Sequence, residues 1–515
     1  MSGNPLSAIE GRTFDVAIVG GGINGTATAD LLSRSGYDVL LVERNDFGSG
    51  ATSRSGRVNH CGLRYFDRGE PVWNFIKRPG WFLEQVRRAR ATMKHRAEMA
   101  LDYSNYMQAT TMILPVRQSD HASPWMISAA FKLLEALGPS SVPLDARHIP
   151  RSDWDSTPYI RMMQSDEPLK GVFSFREYQY YWPERLAVDY ALAAEGNGAF
   201  INNHVAVEEL ARRDGGGWRL ILRRKGQNYT VTCNSRLVIN AAGAWADSVA
   251  GLTGEKAKKR IAATKGTFLV VELPEDCAGH SIATFDRRGY PFYSLAVPGY
   301  HTIGPTEWPN DQNLDRPVSR RDDIESVLDN FNALFPRHRL SPKDVCYCWT
   351  GIRPMPHKPE VEGKQNLIPE LHDHAQEGMP DLLTLAGGPL MVHRITAKTI
   401  HDTIKKRLRP KRDGVARGRT QGAVGGSRCF DVREMKALEP DAMRRLVLDE
   451  HVATLSDLLF RRLGTGWYPG MALDDAPRMA QTLGQTLGWS AEQIEAELAN
   501  YKREIQEFEC PTSQD

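Results

Sequence analysis

Apolar and polar positions divide the chain into three kinds of segment. Phe14 to Gly20, FDVAIVG, is a short β-branched run; a glycine-rich turn and a helical stretch follow to Leu32, and a second apolar run, YDVLLVE, closes at Glu43. Such runs, bounded by glycine, read as strands buried on both faces. Arg236 to Trp245 (RLVINAAGAW) and Leu382 to Gly388 (LLTLAGG) repeat the signature much later, each ending in small residues. Together they predict a parallel sheet with covering helices, one of them over Leu390 to Arg407 after a glycine cap and an N1 proline, Pro389. Phe268 to Glu272, Tyr290 to Val297 and His301 to Gly304 alternate or are β-rich, which predicts an antiparallel sheet. From Glu434 to Phe508 apolar residues recur at helical spacing, so the chain is expected to end in a helical domain.

Within the first strand, turn and helix, Gly20, Gly22 and Gly25 spell G-x-G-x-x-G. The first glycine permits the tight turn, the second lets a pyrophosphate approach the backbone, and the third lets helix pack on strand. The phosphates would meet a helix N-terminus, where free N–H groups and the dipole favour an anion. Glu43 stands 18 residues after Gly25, where a carboxylate accepts hydrogen bonds from ribose hydroxyls and repels a 2′-phosphate, disfavouring NADP. NAD and FAD share this fingerprint. The later strands separate them, because FAD is extended and its ring lies far from the adenine, under loops that later strands supply. FAD is the expected cofactor. The expected fold is α/β: a Rossmann-like FAD-binding domain, an antiparallel-sheet substrate domain and a C-terminal helical domain. Within an oxidoreductase region over 13–405, the FAD-binding domain is expected at 13–70, 190–255 and 345–405 and the substrate domain at 71–189 and 256–344. A basic linker over 406–429 and the helical domain over 430–510 would follow.

The 515 residues are too many for one core and predict about three or four units, or two with large insertions. At 41% hydrophobic, 25% charged and 9% aromatic, the chain has an ordinary soluble composition, which excludes fibrous and largely disordered classes. Lys and Arg number 65 against 63 Asp and Glu, a formal charge of +2, so no nucleic-acid partner is expected. Seven cysteines, an odd number without C-x-x-C spacing, argue against a disulfide framework or structural zinc and fit a reducing compartment; no metal is expected. Residues 1–12 lack the charged and apolar regions of a signal peptide, and no apolar run reaches the ~18 residues of a membrane span.

Several motifs are more particular: HCGLRYF at His60 to Phe66, PWMISAAFKLLEALG at Pro124 to Gly138, KGTFLVV at Lys265 to Val271 and NAAGAWAD at Asn240 to Asp247. GIRPM at Gly351 to Met355, GGPLMVHR at Gly387 to Arg394 and LSDLLFRRLGTGW at Leu455 to Trp467 complete the set. In this order, with DVAIVGGGINGTATA at the start, they cover most of the chain. The sequence resembles the FAD-dependent glycerol-3-phosphate dehydrogenase family, within the wider glycine oxidase and D-amino-acid oxidase-like group. H-x-G-L-R-Y followed much later by G-[IV]-R-P is the most specific part of the likeness.

The resemblance implies roles. His60 is the candidate base for the hydroxyl proton, a task that suits an imidazole titrating near neutrality. Lys265 is a second basic candidate, at the opening of its strand. Arg64, Tyr65 and Arg353 would hold an anionic group beside the flavin, arginine forks matching phosphate or carboxylate in two parallel bonds. Gly20, Gly22, Asn24, Gly25 and Glu43 would hold the cofactor, with Thr52, Ser53, Val205, Ala242, Gly243, Gly388, Leu390 and Met391. The helix start after Gly388 would lie beside the pyrimidine edge of the ring, its dipole stabilising a reduced flavin's charge.

The chain also departs from the family pattern. Where the family has GGKLTTYR this chain has GGPLMVHR, so an expected lysine is Pro389 and two threonines are Met391 and Val392. A further family arginine has no counterpart around Lys364 to Ile368, and HGG has become His60, Cys61, Gly62. Glycerol 3-phosphate or a related polyol phosphate remains the expected substrate. The alternative keeps the flavin but oxidises an amine or amino acid; a non-catalytic flavin-binding module would leave His60, Arg64 and Arg353 unexplained together. Quinone or oxygen is the expected electron acceptor, and a homodimer is compatible with the likeness. Lys405 to Arg419 holds eight basic residues and one acid and reads as a solvated linker. Such a stretch, with the apolar residues of the Ser123 to Gly138 helix, would allow contact with an anionic membrane surface, worth ~1 kcal/mol per basic residue. A cytoplasmic enzyme, or one peripheral on the inner face of the cytoplasmic membrane, is the expectation.

Overall fold

Two sheets organise the molecule, and their strands interleave along the chain. The structure, a computed structural model, describes residues 5–63, 79–120, 122–163, 168–286, 289–357, 369–414 and 439–510. The first sheet runs, in spatial order, Glu370–Asp373, Leu382–Ala386, Val231–Asn240, Thr13–Val19, Val39–Val42 and Phe200–Asn202. Thr13–Val19 lies parallel to its neighbours on both sides, and Val231–Asn240 is parallel to Leu382–Ala386. Val39–Val42 and Leu382–Ala386 are buried at every position. Helices cover the sheet, so these strands are continuous apolar runs rather than alternating ones. The helix Ile23–Arg34 packs against Pro183–Gly196 and His393–Lys405.

The second sheet has ten strands among the described residues. Its long antiparallel pairs are Ile261–Val271 with Val345–Pro356 and Met107–Arg117 with Leu169–Tyr180. Pro291–Val297 and Tyr300–Gly304 form the expected antiparallel ladder. Two expected boundaries are corrected here. Val345–Pro356, assigned from sequence to the FAD-binding domain, pairs along its length with Ile261–Val271 in the second sheet, and Val58–Asn59 also belongs there, against Leu169–Tyr180. An apolar run identifies a strand but not its partner, which is why the sequence misplaced them.

Other corrections are local. The strand carrying Lys265 begins at Ile261, so the lysine lies inside it rather than at its start. After Gly388 the chain makes a 3₁₀ turn, Leu390–Val392, preceded by Pro389; the α-helix starts only at His393 and ends at Lys405. The basic stretch is docked at its beginning: Lys411 pairs with Asp15 at 3.3 Å, and the Arg412 N–H donates to the Gly36 carbonyl at 3.2 Å. Its remainder, from 415, lies outside the described residues. On the helix Pro124–Leu137, Ile127, Phe131 and Leu134 are buried in the core, while Trp125 is 68% exposed. The C-terminal part folds as the helices Pro440–Asp449, Ala476–Leu487 and Ala491–Ile505, with a π-helical turn at Asp457–Arg462. No described helix is long and apolar enough to cross a membrane.

Candidate active site

A cavity of about 880 Å³ opens at the carboxyl ends of the parallel strands and extends under the second sheet. Its floor follows from the glycines. Gly20 has φ +111°, and a Cβ there would meet the Ala241 carbonyl at 2.6 Å; one on Gly25 would come within 1.9 Å of the Gly20 carbonyl oxygen. Both are demanded by helix and strand packing, and Gly25 accordingly lies behind the cavity wall rather than in it. Gly22 differs. A Cβ there would meet nothing closer than Thr52 Oγ1 at 3.4 Å, and the residue caps the helix Ile23–Arg34 without any side-chain hydrogen bond. The protein does not require glycine at this position, whereas a ligand pressed against the backbone would. A fourth glycine escaped the sequence reading: on Gly21 a Cβ would strike the Phe47 ring at 2.7 Å and the Glu43 side chain at 2.8 Å.

Glu43 accepts from the Gly21 N–H at 2.7 Å and from the Asn45 N–H at 2.8 Å. Burial raises its carboxyl above the ordinary range, against these two donors. Asn24 ties the fingerprint to the paired glycines far along the chain, its Nδ2 donating to the Gly388 carbonyl at 2.6 Å. Its Oδ1 is buried and accepts nothing among the described residues, which leaves an acceptor for a ligand hydroxyl. Asn240 shapes the small-residue turn: its Nδ2 donates to the Ala246 carbonyl at 2.7 Å and its Oδ1 accepts from the Ala242 N–H at 3.3 Å. Gly387 and Gly388, at φ +80° and +90°, bring Leu390 and Met391 to the wall. Thr52, Ser53, Val205, Ala242 and Gly243 line it as well. A Cβ-free cradle at a helix N-terminus, a carboxylate at the strand end and an orphaned amide oxygen fit an extended dinucleotide.

His60 and Arg353 line the same cavity. The Cys61 N–H next to His60 is held by Glu177 Oε1 at 2.7 Å, and the His60 ring lies 5.9 Å from that of Tyr293. Burial, with Glu177 beside it, drives the Cys61 thiol well above its ordinary pKa, so it stays protonated. Arg353 comes from Val345–Pro356, where its register partner is Thr264. Its guanidinium lies across Gly266, where a Cβ would approach Nη2 to 2.2 Å, and pairs with Glu307 at 3.7 Å. Glu307 was missed by the sequence reading, since it follows a strand with no motif around it. Lys265 is a correction. Strand alternation turns it to the face opposite Arg353, where it is buried in ion pairs with Asp323 at 3.2 Å and Asp311 at 3.6 Å. It does not belong to the cavity wall. Arg64, Tyr65 and the segment Lys364 to Ile368 lie outside the described residues.

The chain is similar to known proteins in sequence and in fold. A glycerol-3-phosphate dehydrogenase of Synechocystis is 29% identical over 423 residues, 78% of this chain and 71% of its own. The aerobic glycerol-3-phosphate dehydrogenase of Staphylococcus aureus is 28% identical over 488 residues, 91% of this chain and 80% of its own. The structure of glycerol-3-phosphate dehydrogenase from Bacillus halodurans, complexed with FAD, superposes with a TM-score of 0.72 at 19% identity, covering 98% of this chain and 96% of that one. The model of the FAD dependent oxidoreductase family matches residues 15–400; with the glycine cradle, Glu43 and the paired glycines at one cavity, the chain belongs to that family and its cofactor is FAD.

Proposed function

We propose that this FAD-dependent oxidoreductase dehydrogenates a small anionic polyol, glycerol 3-phosphate or a related polyol phosphate, to the corresponding ketone. The observation that carries the reading is the presence of Arg353 and His60 in the wall of the cavity that holds the cofactor-binding glycines. Bound FAD supplies the acceptor for the hydride that leaves the carbinol carbon. His60 takes the hydroxyl proton, so the carbinol becomes a carbonyl as one hydride and one proton depart. Arg353 holds the substrate's anionic end, and Glu307 keeps the guanidinium turned toward the cavity. Support for the substrate comes from two glycerol-3-phosphate dehydrogenases that align over 78% and 91% of this chain. Pro389 places no charge where the family has a lysine, so the anion depends more heavily on Arg353 here. Quinone or oxygen would be the final electron acceptor, and the exposed Trp125 would offer an apolar contact to a membrane surface.

Anaerobic mixing of the yellow holoenzyme with glycerol 3-phosphate tests the proposal: the flavin absorbance should bleach. Bleaching by glycine or another amino acid, with glycerol 3-phosphate inert, would replace the reading with an amino-acid oxidase. His60→Ala should slow this reduction by roughly 100-fold or more while substrate binding changes little, because a base acts in the transition state.

A further inference from the structure

A buried charge cluster lies where the C-terminal helices meet the first sheet. Asp46, in the loop beyond Glu43, is 1% exposed. It accepts from Arg461 Nε at 2.6 Å and from Arg462 Nη1 and Nη2 at 2.7 and 3.0 Å. Both arginines belong to the π-helical turn Asp457–Arg462. Asp457 of the same turn accepts from Arg461 Nη2 at 2.8 Å and from the N–H groups of Ala453 and Thr454 at 2.9 and 3.0 Å, and it meets His204 Nε2 at 2.8 Å. Arg462 continues to the Glu450 carbonyl, and the Glu450 carboxylate takes Arg185 at 2.5 and 3.0 Å. The ligand atoms of Asp46, His204 and Asp457 lie within 4.8 Å of one another, a spacing that would suit a metal ion. Guanidinium groups already sit against both carboxylates, so the positive charge such a site would take is supplied by the chain itself.

Apolar packing alone would seat this turn, since Leu458, Leu459 and Leu463 are fully buried. The charges add position. π-helical turns recur at functional sites, and this one lets adjacent arginines reach a single carboxylate, although consecutive positions on an α-helix diverge. The anchoring residues Asp46 and His204, and Asp457 and Arg461 from the turn, line the cofactor cavity beside Glu43.

We propose that the C-terminal helical unit is part of the cofactor site: the turn Asp457–Arg462 closes the ribose end of the cleft, and its docking on Asp46 and His204 is coupled to retention of FAD. The inference rests on FAD occupying the cleft with its ribose toward Glu43. A ligand that touches both walls binds only the docked arrangement, stabilises it by mass action and is in turn held more tightly by it.

Full-length apoprotein titrated with FAD, followed by quenching of flavin fluorescence, gives the affinity, and melting with and without FAD gives the stabilisation. Arg461→Met and Asp457→Asn should each raise the FAD Kd by about tenfold or more and shrink the rise in Tm that FAD produces. Arg478→Met, an exposed position on Ala476–Leu487, should change neither. Hydrogen exchange on the wild type needs no variant: added FAD should slow exchange over 439–510. Unchanged FAD affinity in the folded variants overturns the coupling, as does exchange over 439–510 that ignores FAD if the variants do not fold. Wild-type apoprotein that takes up no FAD overturns the cofactor assignment along with it, which tells the two failures apart.

Discussion

A Cβ on Gly266 would come within 2.2 Å of Arg353 Nη2 and 2.6 Å of its Cζ, so the lack of a side chain on one strand positions the cation of the next. The clash is with the end of a flexible side chain, which will move rather than unfold the sheet. Gly266→Ala should therefore displace the guanidinium, lower kcat/KM by roughly 10- to 100-fold and leave FAD bound, as steady-state kinetics and the flavin spectrum will show. Arg353→Met removes the proposed substrate contact itself, which as a partly buried charge-assisted bond would be worth ~2 to 5 kcal/mol, and should cost roughly 30-fold to several thousand-fold in kcat/KM. A Gly266→Ala enzyme with wild-type kinetics would mean that Arg353 does not touch the substrate. The same local geometry explains why Lys265 misled: a lysine beside a motif glycine looks like site chemistry until strand alternation sends it to Asp323 instead.

Among elements, the strand, turn and helix from Thr13 to Arg34 were legible because each position answers to a local rule. Gly25 is fixed by the Gly20 carbonyl within the unit, Gly20 by its own turn and by the Ala241 carbonyl beyond the neighbouring strand, and Gly22 has no such neighbour in the chain. Separate substitutions divide the two roles. Gly25→Ala must push against the Gly20 carbonyl and should lower the apoprotein Tm, whereas Gly22→Val finds extended backbone, φ −69° and ψ 176°, and only Thr52 Oγ1 near its Cβ, at an ordinary contact distance of 3.4 Å. Gly22→Val should leave the apoprotein Tm within a few degrees and abolish flavin uptake, read by melting and by fluorescence titration. What depends on distant pairing was not legible. Val345–Pro356 reads as a strand in any sheet, and only its register with Ile261–Val271 puts it in the second one. Glu307 and Asp46 carry no motif, and their importance appears only when Arg353 and Arg461 arrive from far along the chain. The helix start at Gly388 was legible in kind but not in detail, because the 3₁₀ turn Leu390–Val392 delays the α-helix to His393.

Across the whole molecule, the joint between the first sheet and the C-terminal helices makes stability depend on pH. Burial disfavours charge on His204, but the Asp457 carboxylate 2.8 Å away prevails, with Asp46 adding to it and Arg461 opposing, and the pKa rises above the ordinary 6.5. A base raised in the folded state contributes stability that is complete below its unfolded pKa and is lost as pH rises through the folded one. Four carboxylates in this cluster, Asp46, Asp457, Glu450 and Asp189, face three guanidiniums, Arg461, Arg462 and Arg185, so a protonated His204 brings the buried charge into balance. Glu184 acts in the same direction at lower pH. Burial, against the Arg57 guanidinium, lifts its carboxyl from 4.5 to about 7, so the fold retains a proton that the unfolded chain releases, and stability declines across that interval. Asp457 works oppositely: its own burial is outweighed by His204, Arg461 and Arg462, its pKa falls well below the ordinary value, and its contribution is lost only in strong acid. Melting temperature against pH should therefore fall from about pH 5 into the alkaline range. In His204→Gln, where an amide still donates to Asp457 but cannot titrate, the decline above the ordinary histidine pKa should flatten while the part below it, due to Glu184, persists. A His204→Gln profile parallel to the wild type throughout would show that the imidazole is neutral in the fold and that the cluster carries an unbalanced charge.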